Sequence, residues 1–413
     1  MTGWLKLTEE QRKAAISEAQ IRSGVIENVK AIEKDWWVTL VLKALFQSAF
    51  ANYLVFKGGT SLSKGYKLIN RFSEDIDLAL SCEAFGMQYE ENPTTSYIGR
   101  LRRKGFAFAT TTLIEELSKQ FKALDVPDSM ITIEFEPSPP NQTPADPITI
   151  YVKYKSLYDP NKYIADQVKI ELSVRSRSIP FTTRSVQSLL TDFFPNKAYE
   201  ETPFELSIVE PRKTFLEKAF LLHEEFSKTD KGQIRTERMS RHLYDLVAMM
   251  RDNVLKDALN DHDLYESLIT HRKRYIGVAW ADYSTLTHHT ISFLPPEHIL
   301  AAYEQDYEEM QREMFYGETL SFGKLIEQLK ILQGKFRIKD EVKTLEEIID
   351  DALKNLQSYI RENDNATFFE TQVTYASDPY KPLSPANKTI VFTVQFSRID
   401  GNIIFESIRI NQI

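Results

Sequence analysis

The sequence predicts an α/β protein of the α+β type: a mixed sheet with flanking helices, then an α-helical region, then a small C-terminal module of one helix and antiparallel strands. Three observations carry that expectation. Short apolar runs at 53–56 and 76–80 bracket a Gly-Gly turn and a small-residue helix start. The run 167–174, QVKIELSV, alternates as a strand does, and strand-like segments at 130–135 and 148–154 flank PSPPNQTPADP, a proline-rich loop that no helix could cross. From about Pro203 the apolar spacing becomes helical.

The elements follow in order. Helical periodicity covers 9–24 and 31–51, and Trp36, Trp37, Leu40, Leu42 and Leu45 make the second helix largely buried. The strand at 53–56 runs into Gly58-Gly59, a helix starts at Thr60, and the strand at 76–80 returns. A long helix covers 98–124, with an insertion around 83–97 lying outside the sheet. With the three later strands this makes a mixed sheet of about five strands. Helices are then expected at 214–227, 235–252, 261–271, 296–315 and 320–334. Beyond them come a charged helix at 340–361 and strands at 368–375, 389–397 and 402–410. Asp400-Gly401 between alternating runs is a hairpin signal. The expected domains are 1–202, 203–337 and 338–413, the last an appended module for dimerisation, docking or regulation.

Composition bounds the function. With 413 residues and 42% hydrophobic content the chain can fill more than one core. Its net charge of −8, from 51 basic and 59 acidic residues, argues against indiscriminate coating of nucleic acid. Basic patches run locally the other way, at Arg100, Arg102, Arg103 and Lys104, at Arg175, Arg177 and Arg184, and at Arg272, Lys273 and Arg274. Such patches suit the phosphates of a structured RNA, or a solvated face. The single cysteine, Cys82, forms no intramolecular disulfide and reads as a packing residue. The N-terminal MTGWLKLTEEQRKAA lacks a basic segment followed by an apolar core, and no apolar run has membrane-spanning length, so the expected location is the cytoplasm.

The chemistry concentrates in VFKGGTSLSKGYKLINRFSEDIDLAL. Asp75 and Asp77 stand two residues apart at the mouth of a strand, so both carboxylates face one side and repel unless a cation lies between. Hard carboxylates suit Mg²⁺, usually held by one or two of them together with substrate phosphates. Gly58 and Gly59 let the backbone approach an anion, and the helix start at Thr60 and Ser61 directs N–H groups and a positive dipole end toward it. A Gly-Gly turn or an Asp-x-Asp alone is weak. Strand, Gly-Gly, helix, Arg71, Ser73, Asp75, Asp77 and strand in that order are specific.

That order resembles the polymerase-beta-like nucleotidyltransferase superfamily, and GGTSLSKGYKLINRFSEDIDL is similar to the AbiEii/AbiGii toxin family of abortive-infection and type IV toxin–antitoxin systems. That family writes its site as GGT followed by R-x-S-x-D-x-D, which Arg71, Ser73, Asp75 and Asp77 fit position by position. The resemblance covers roughly residues 30–337. It implies transfer of a nucleoside monophosphate from an NTP to an acceptor such as a tRNA 3′ end, growth arrest or phage defence, two Mg²⁺ ions and a cognate antitoxin.

Further residues enter on weaker grounds. Lys169 and Glu171 share one face of the 167–174 strand; Glu171 is the candidate third metal carboxylate, or half of an ordinary cross-strand ion pair. Lys218, in a segment resembling a helical-domain motif of the family, is a compact charge suited to a triphosphate. Arg241 and Asp245, one helical turn apart, share a face and would brace that site. His242 between them reads as structural. Gly58, Gly59, Thr60, Ser61, Arg71, Ser73, Lys169, Lys218 and Arg241 make up the expected nucleotide site, with Asp75, Asp77, Glu171, Lys218 and Asp245 as the catalytic set. Three alternatives stay open: nucleotidyl transfer to a protein or small-molecule hydroxyl, a non-catalytic nucleotide-binding scaffold, and a structural strand pair with the function in the C-terminal module.

Overall fold

The computed structural model describes residues 3–160, 164–195, 199, 201–251, 253–338, 345–362, 365–376, 389–400 and 402–412. Its main sheet has seven strands: β1 (Leu54–Lys57), β2 (Ile76–Leu80), β3 (Ile131–Phe135), β4 (Ile148–Tyr154), β5 (Gln167–Ser173), β6 (Phe181–Val186) and β7 (Phe204–Val209). Their order is β3-β4-β5-β2-β1-β7-β6, with β2/β5 and β1/β7 parallel and the other pairs antiparallel. The sequence reading expects about five strands and misses β6 and β7. β6 reads FTTRSV, an edge strand with little buried on either face, and β7 joins β1 only through a long-range parallel bridge between Phe56 and Ile208. The division expected at 202/203 falls inside one compact unit, Met1–Leu286 with Ile291–Lys330.

The helices of the chain begin with α1 (Glu9–Ser23), α2 (Val29–Phe46), α3 (Gly58–Lys64), α4 (Thr95–Phe108), α5 (Ile114–Ala123) and α6 (Leu189–Phe193). A π-helical turn at Ala109–Leu113 joins α4 to α5, so the long helix expected at 98–124 is present with one irregular turn. They continue as α7 (Pro211–Phe226), α8 (Ser240–Ala248), α9 (Val254–Asn260), α10 (His262–His271), α11 (Leu300–Glu313), α12 (Phe322–Ile338) and α13 (Leu345–Glu362). The helix expected at 235–252 shrinks to α8 and a short 3₁₀ turn, while α9 was not expected.

α2 positions the site from beneath. Its side chains from Lys30 to Leu45 are all buried, and Trp36 sits 4.6 Å from Trp4 while Trp37 stacks on Tyr154 at 4.8 Å. A helix hydrophobic all round belongs in a core, so its charges must be paired. Asp35 takes Lys64 at the end of α3 at 2.6 Å, and Lys34 takes Glu74, next to Asp75, at 2.7 Å. One buried helix thereby holds both arms of the Gly-Gly to Asp-x-Asp hairpin.

The second unit, Thr287–Thr290 with Ile331–Ile413, contains α13 and a three-stranded antiparallel sheet of β8 (Phe368–Ala376), β9 (Thr389–Ile399) and β10 (Asn402–Gln412). Ile348, Ala352 and Leu356 of α13 pack on Phe369, Val373, Val394 and Phe396. Asp400 takes φ 51° at the turn between β9 and β10. The expected helix start at Asp340 and the Gly401 of the hairpin signal lie outside the described residues.

Candidate functional site

The site is built where β1 turns into α3. Gly58 has φ +79°, and a Cβ there would lie 2.0 Å from Asp77 Oδ2; a Cβ on Gly59 would lie 2.4 Å from Arg71 Nη2. The paired glycines therefore bring backbone against the Asp-x-Asp arm. Thr60 and Ser61, both buried, turn inward. Thr60 Oγ1 contacts Ser73 Oγ at 2.8 Å and donates to the Asp75 carbonyl, while Ser61 Oγ donates to the Gly58 carbonyl at 2.8 Å. Their hydroxyls latch the hairpin.

Strand register assembles the carboxylates. Asp77 stands opposite Lys57 on β1 and opposite Glu171 on β5, and Asp75 precedes it by two residues. Burial, together with the Glu171 and Asp75 charges, pushes the Asp77 carboxyl up to about 6 against the pull of Lys57. Asp75 is also raised, by burial and Glu74, with Arg241 and Lys169 opposing. Burial acts upward on Glu171 too, yet the Lys169 ammonium bonded to it and a hydrogen bond with Asp77 bring it below the usual range. Asp77 and Glu171, in register across β2 and β5, are thus pushed in opposite directions as an interacting pair.

Among the described residues no group of three or more His, Cys, Asp and Glu side chains forms a ready metal cage. Asp75 and Asp77 nonetheless fit Mg²⁺ in its usual mode, an all-oxygen donor pair leaving positions for water and phosphate. Their raised carboxyls mark a place short of positive charge. Glu171 lies in register with Asp77 and is occupied by Lys169.

Helices α7 and α8 supply the facing wall. Arg71 donates from Nε and Nη2 to the two oxygens of Asp245, both at 2.8 Å, and Lys218 Nζ reaches Asp245 Oδ2 at 2.9 Å. Burial acts to raise Asp245, but the two cations hold it well below the usual carboxylate range. Asp245 faces Arg71 and Lys218, whereas Arg241 Nη1 lies 4.0 Å from Asp75 Oδ2. Arg241 Nε is buried with no hydrogen-bond partner. Burial, then Lys218 and Arg241, keeps His242 neutral, so its Nδ1 accepts from Lys218 Nζ at 3.3 Å. The loop carrying Arg71 is braced from below, where Phe72 N donates to the Met314 carbonyl at 2.6 Å and Tyr316 N to the Asn70 carbonyl at 3.1 Å.

Gly58, Gly59, Asp75, Asp77, Glu171, Lys218 and Arg241 line a cleft of about 600 Å³, with Asp245, Lys169, Thr60 and Ser61 behind its wall. A family model for the nucleotidyl transferase AbiEii toxin of type IV toxin–antitoxin systems matches residues 40–329. This chain belongs to the AbiEii toxin family. Membership makes it a nucleotidyltransferase toxin of a type IV toxin–antitoxin system. The solved structure of MenT4, a nucleotidyltransferase toxin from Mycobacterium tuberculosis H37Rv, is similar over 82% of this chain and 91% of that one, with 16% identity and a TM-score of 0.46. No curated protein matches the sequence. No helix among the described residues is long and apolar enough to cross a membrane.

In this AbiEii toxin the cleft also takes in Lys57, Thr214, Glu217, Arg175, Arg177 and His271, which the sequence reading did not place at the site. Thr214 had a signal: it lies one helical turn before Lys218, hence on the same face. Its Oγ1 is buried with no partner. The basic patches separate in space. Arg175 and Arg177 reach the cleft, whereas Arg184 lies over the Tyr66 ring in a different cavity of about 940 Å³. Arg272 lines the cleft but is bound to Glu224, with its Nε 2.7 Å from Oε1. Arg100, Arg102, Arg103 and Lys104 ride on α4, away from the cleft lining.

Proposed function

We propose that this AbiEii toxin transfers a nucleoside monophosphate from an NTP to the 3′-terminal hydroxyl of a tRNA in the cytoplasm, releasing pyrophosphate and arresting growth until its antitoxin intervenes. The observation that carries the reading is the row Lys57, Asp77, Glu171 across β1, β2 and β5, with Asp75 beside it and Gly58 against Asp77. The acceptor oxygen forms the new bond to the α-phosphorus as the bond to the pyrophosphate oxygen breaks in line.

The chain's own groups divide the work. Gly58 and Gly59 admit the phosphates to the start of α3. Lys218 and Arg241 neutralise them, the latter with a side chain that lines the cleft and is one-third exposed. Arg71 acts at one remove, fixing Asp245 and through it the Lys218 ammonium. Asp75, Asp77 and Glu171 would hold Mg²⁺, two ions when all three take part. Bound Mg²⁺ would supply charge neutralisation at the phosphates and acidify the acceptor hydroxyl. Arg177 at the cleft favours a polyanionic acceptor over a neutral one, Arg175 being bound to Asp146 at 3.0 Å.

The test incubates the purified protein with each α-labelled NTP, Mg²⁺ and total cellular RNA, resolved on a denaturing gel beside an Asp75→Ala/Asp77→Ala control. A labelled tRNA-sized band that needs the carboxylates is the expected result. Label on protein moves the acceptor to a protein hydroxyl, and no label in any lane sinks the transfer reading.

A further inference from the structure

The insertion that carries Tyr89 lies outside the sheet and takes no part in the chemistry above, yet its aromatic ring is fixed by several contacts. Tyr89 stacks on Tyr275 at 5.2 Å with 8° between planes, and His271 stacks on Tyr275 at 4.6 Å and 18°. Tyr275 is buried, whereas Tyr89 is 46% exposed. The Arg177 guanidinium lies over the Tyr89 ring, 5.9 Å from its centroid.

Hydrogen bonds remove the ring's freedom. His271 Nε2 faces the Arg175 carbonyl at 2.8 Å, and a carbonyl only accepts, so Nε2 carries the hydrogen. Nδ1 then accepts from the Tyr89 hydroxyl at 3.2 Å. The loop itself is tied down by Tyr275 Oη donating to the Glu90 carbonyl at 2.6 Å and by Arg274 Nη1 donating to the Glu91 carbonyl at 2.8 Å. With its hydroxyl engaged, Tyr89 is a fixed, half-exposed ring with the Arg177 guanidinium over it. A rigid aromatic presented beside a guanidinium binds a flat partner at low entropic cost.

We propose that Tyr89 and Arg177 form a stacking platform for an unpaired nucleobase of the RNA acceptor. The assignment rests on the RNA-transfer reading and adds where the acceptor is held. Arg177 and His271 line the same cleft as Asp75 and Asp77, so the platform is continuous with the chemistry. Unpaired bases are recognised by stacking on aromatic rings and on arginine planes, with the backbone held by positive charge.

The experiment uses the full chain and an RNA oligonucleotide with an unpaired 3′ tail carrying 2-aminopurine, read by fluorescence quenching and anisotropy. The parent protein should quench the probe. Tyr89→Ala should weaken its binding roughly 5- to 150-fold, Tyr89→Phe should keep it, and neither should change the KM for NTP. Arg177→Ala, which leaves the Tyr89 loop bonds in place, should weaken binding in the same direction.

Unchanged RNA binding in both Tyr89→Ala and Arg177→Ala overturns the platform, as does an equal loss in Tyr89→Phe, which would point to a loop clamp. Because the probe reports binding without turnover, the two readings separate. Ring-dependent binding with no RNA labelled in the transfer assay keeps the platform and removes the acceptor assignment. RNA labelled equally by parent and Tyr89→Ala, with equal acceptor KM, does the reverse.

Discussion

Arg71 and Asp245, 174 residues apart in the chain, meet as a buried fork in which two guanidinium nitrogens each donate at 2.8 Å to a different carboxylate oxygen. Neither has more than a trace of exposed surface. Removing one partner strands a charge in the interior, so Arg71→Ala and Asp245→Ala should each lower unfolding stability by about 3–5 kcal/mol. The double variant Arg71→Met/Asp245→Leu should lose markedly less than the two singles together. Urea unfolding of the four proteins decides it; additive losses would mean the pair is not coupled.

Asp77 makes stability depend on pH in a sense opposite to most aspartates. The folded protein keeps this proton up to about pH 6, whereas an unfolded aspartate releases it near 4. Between those values the native state binds more protons, so this group's contribution is full at low pH and is lost as pH rises toward and through about 6. Asp77→Asn should remove that slope and be more stable than the parent at pH 7 by on the order of 1–3 kcal/mol, with the two converging near pH 4. Denaturant titrations from pH 4 to 8 measure the difference. The same proton competes with a cation, so apparent Mg²⁺ affinity should weaken as pH falls through about 6.

Gly58→Ala places a methyl where Asp77 Oδ2 already stands, at a backbone φ of +79°. Displacing that carboxylate by even an ångström should reduce nucleotidyl transfer about 100-fold or more. Far-ultraviolet circular dichroism should stay close to the parent's, since the rest of β1 and α3 is untouched. Transfer at the parental rate would show that Asp77 does not need its observed position.

Arg241→Ala tests the opposite wall. Its guanidinium is one-third exposed and 4.0 Å from Asp75, so the pair contributes no more than about 1 kcal/mol to stability. The exposed part of the guanidinium, on the cleft lining, is the group expected to meet phosphate. The KM for NTP should rise about tenfold, one charge-assisted hydrogen bond's worth, with unfolding little changed. A KM equal to the parent's would remove Arg241 from the nucleotide site.

The sequence made the central hairpin legible because its parts are local. Gly58, Gly59, Asp75 and Asp77 fall within twenty residues of one another, and two-residue periodicity alone puts the carboxylates on one side. Glu171 was visible as an alternating strand position, but its place opposite Asp77 depends on a parallel pairing of β2 with β5 that no local pattern encodes. The same limit hid β7. β6 was hidden by its composition, since a polar edge strand buries too little to leave a period. Arg71 reads naturally as a phosphate ligand until tertiary packing aims its guanidinium at Asp245, whereas Lys218 touches the same carboxylate and still lines the cleft. Spacing paired Arg241 with Asp245; the structure turns them to different partners because a fully buried carboxylate takes the nearest buried cations. Tyr89 carried no signal at all, being one aromatic in a loop.

The brace beneath the Arg71 loop also sets a schedule. Tyr316 and the Ile69–Phe72 segment it supports are separated by 247 positions in the bond from Tyr316 Oη to the Ile69 carbonyl. At about 5–20 residues per second, roughly 12–50 s of translation separate the two halves of that contact. A ribosome therefore carries the Gly-Gly and Asp-x-Asp arms for most of a toxin chain's synthesis before the wall behind them can close, and a nascent chain halted short of Met314 leaves the site unbraced.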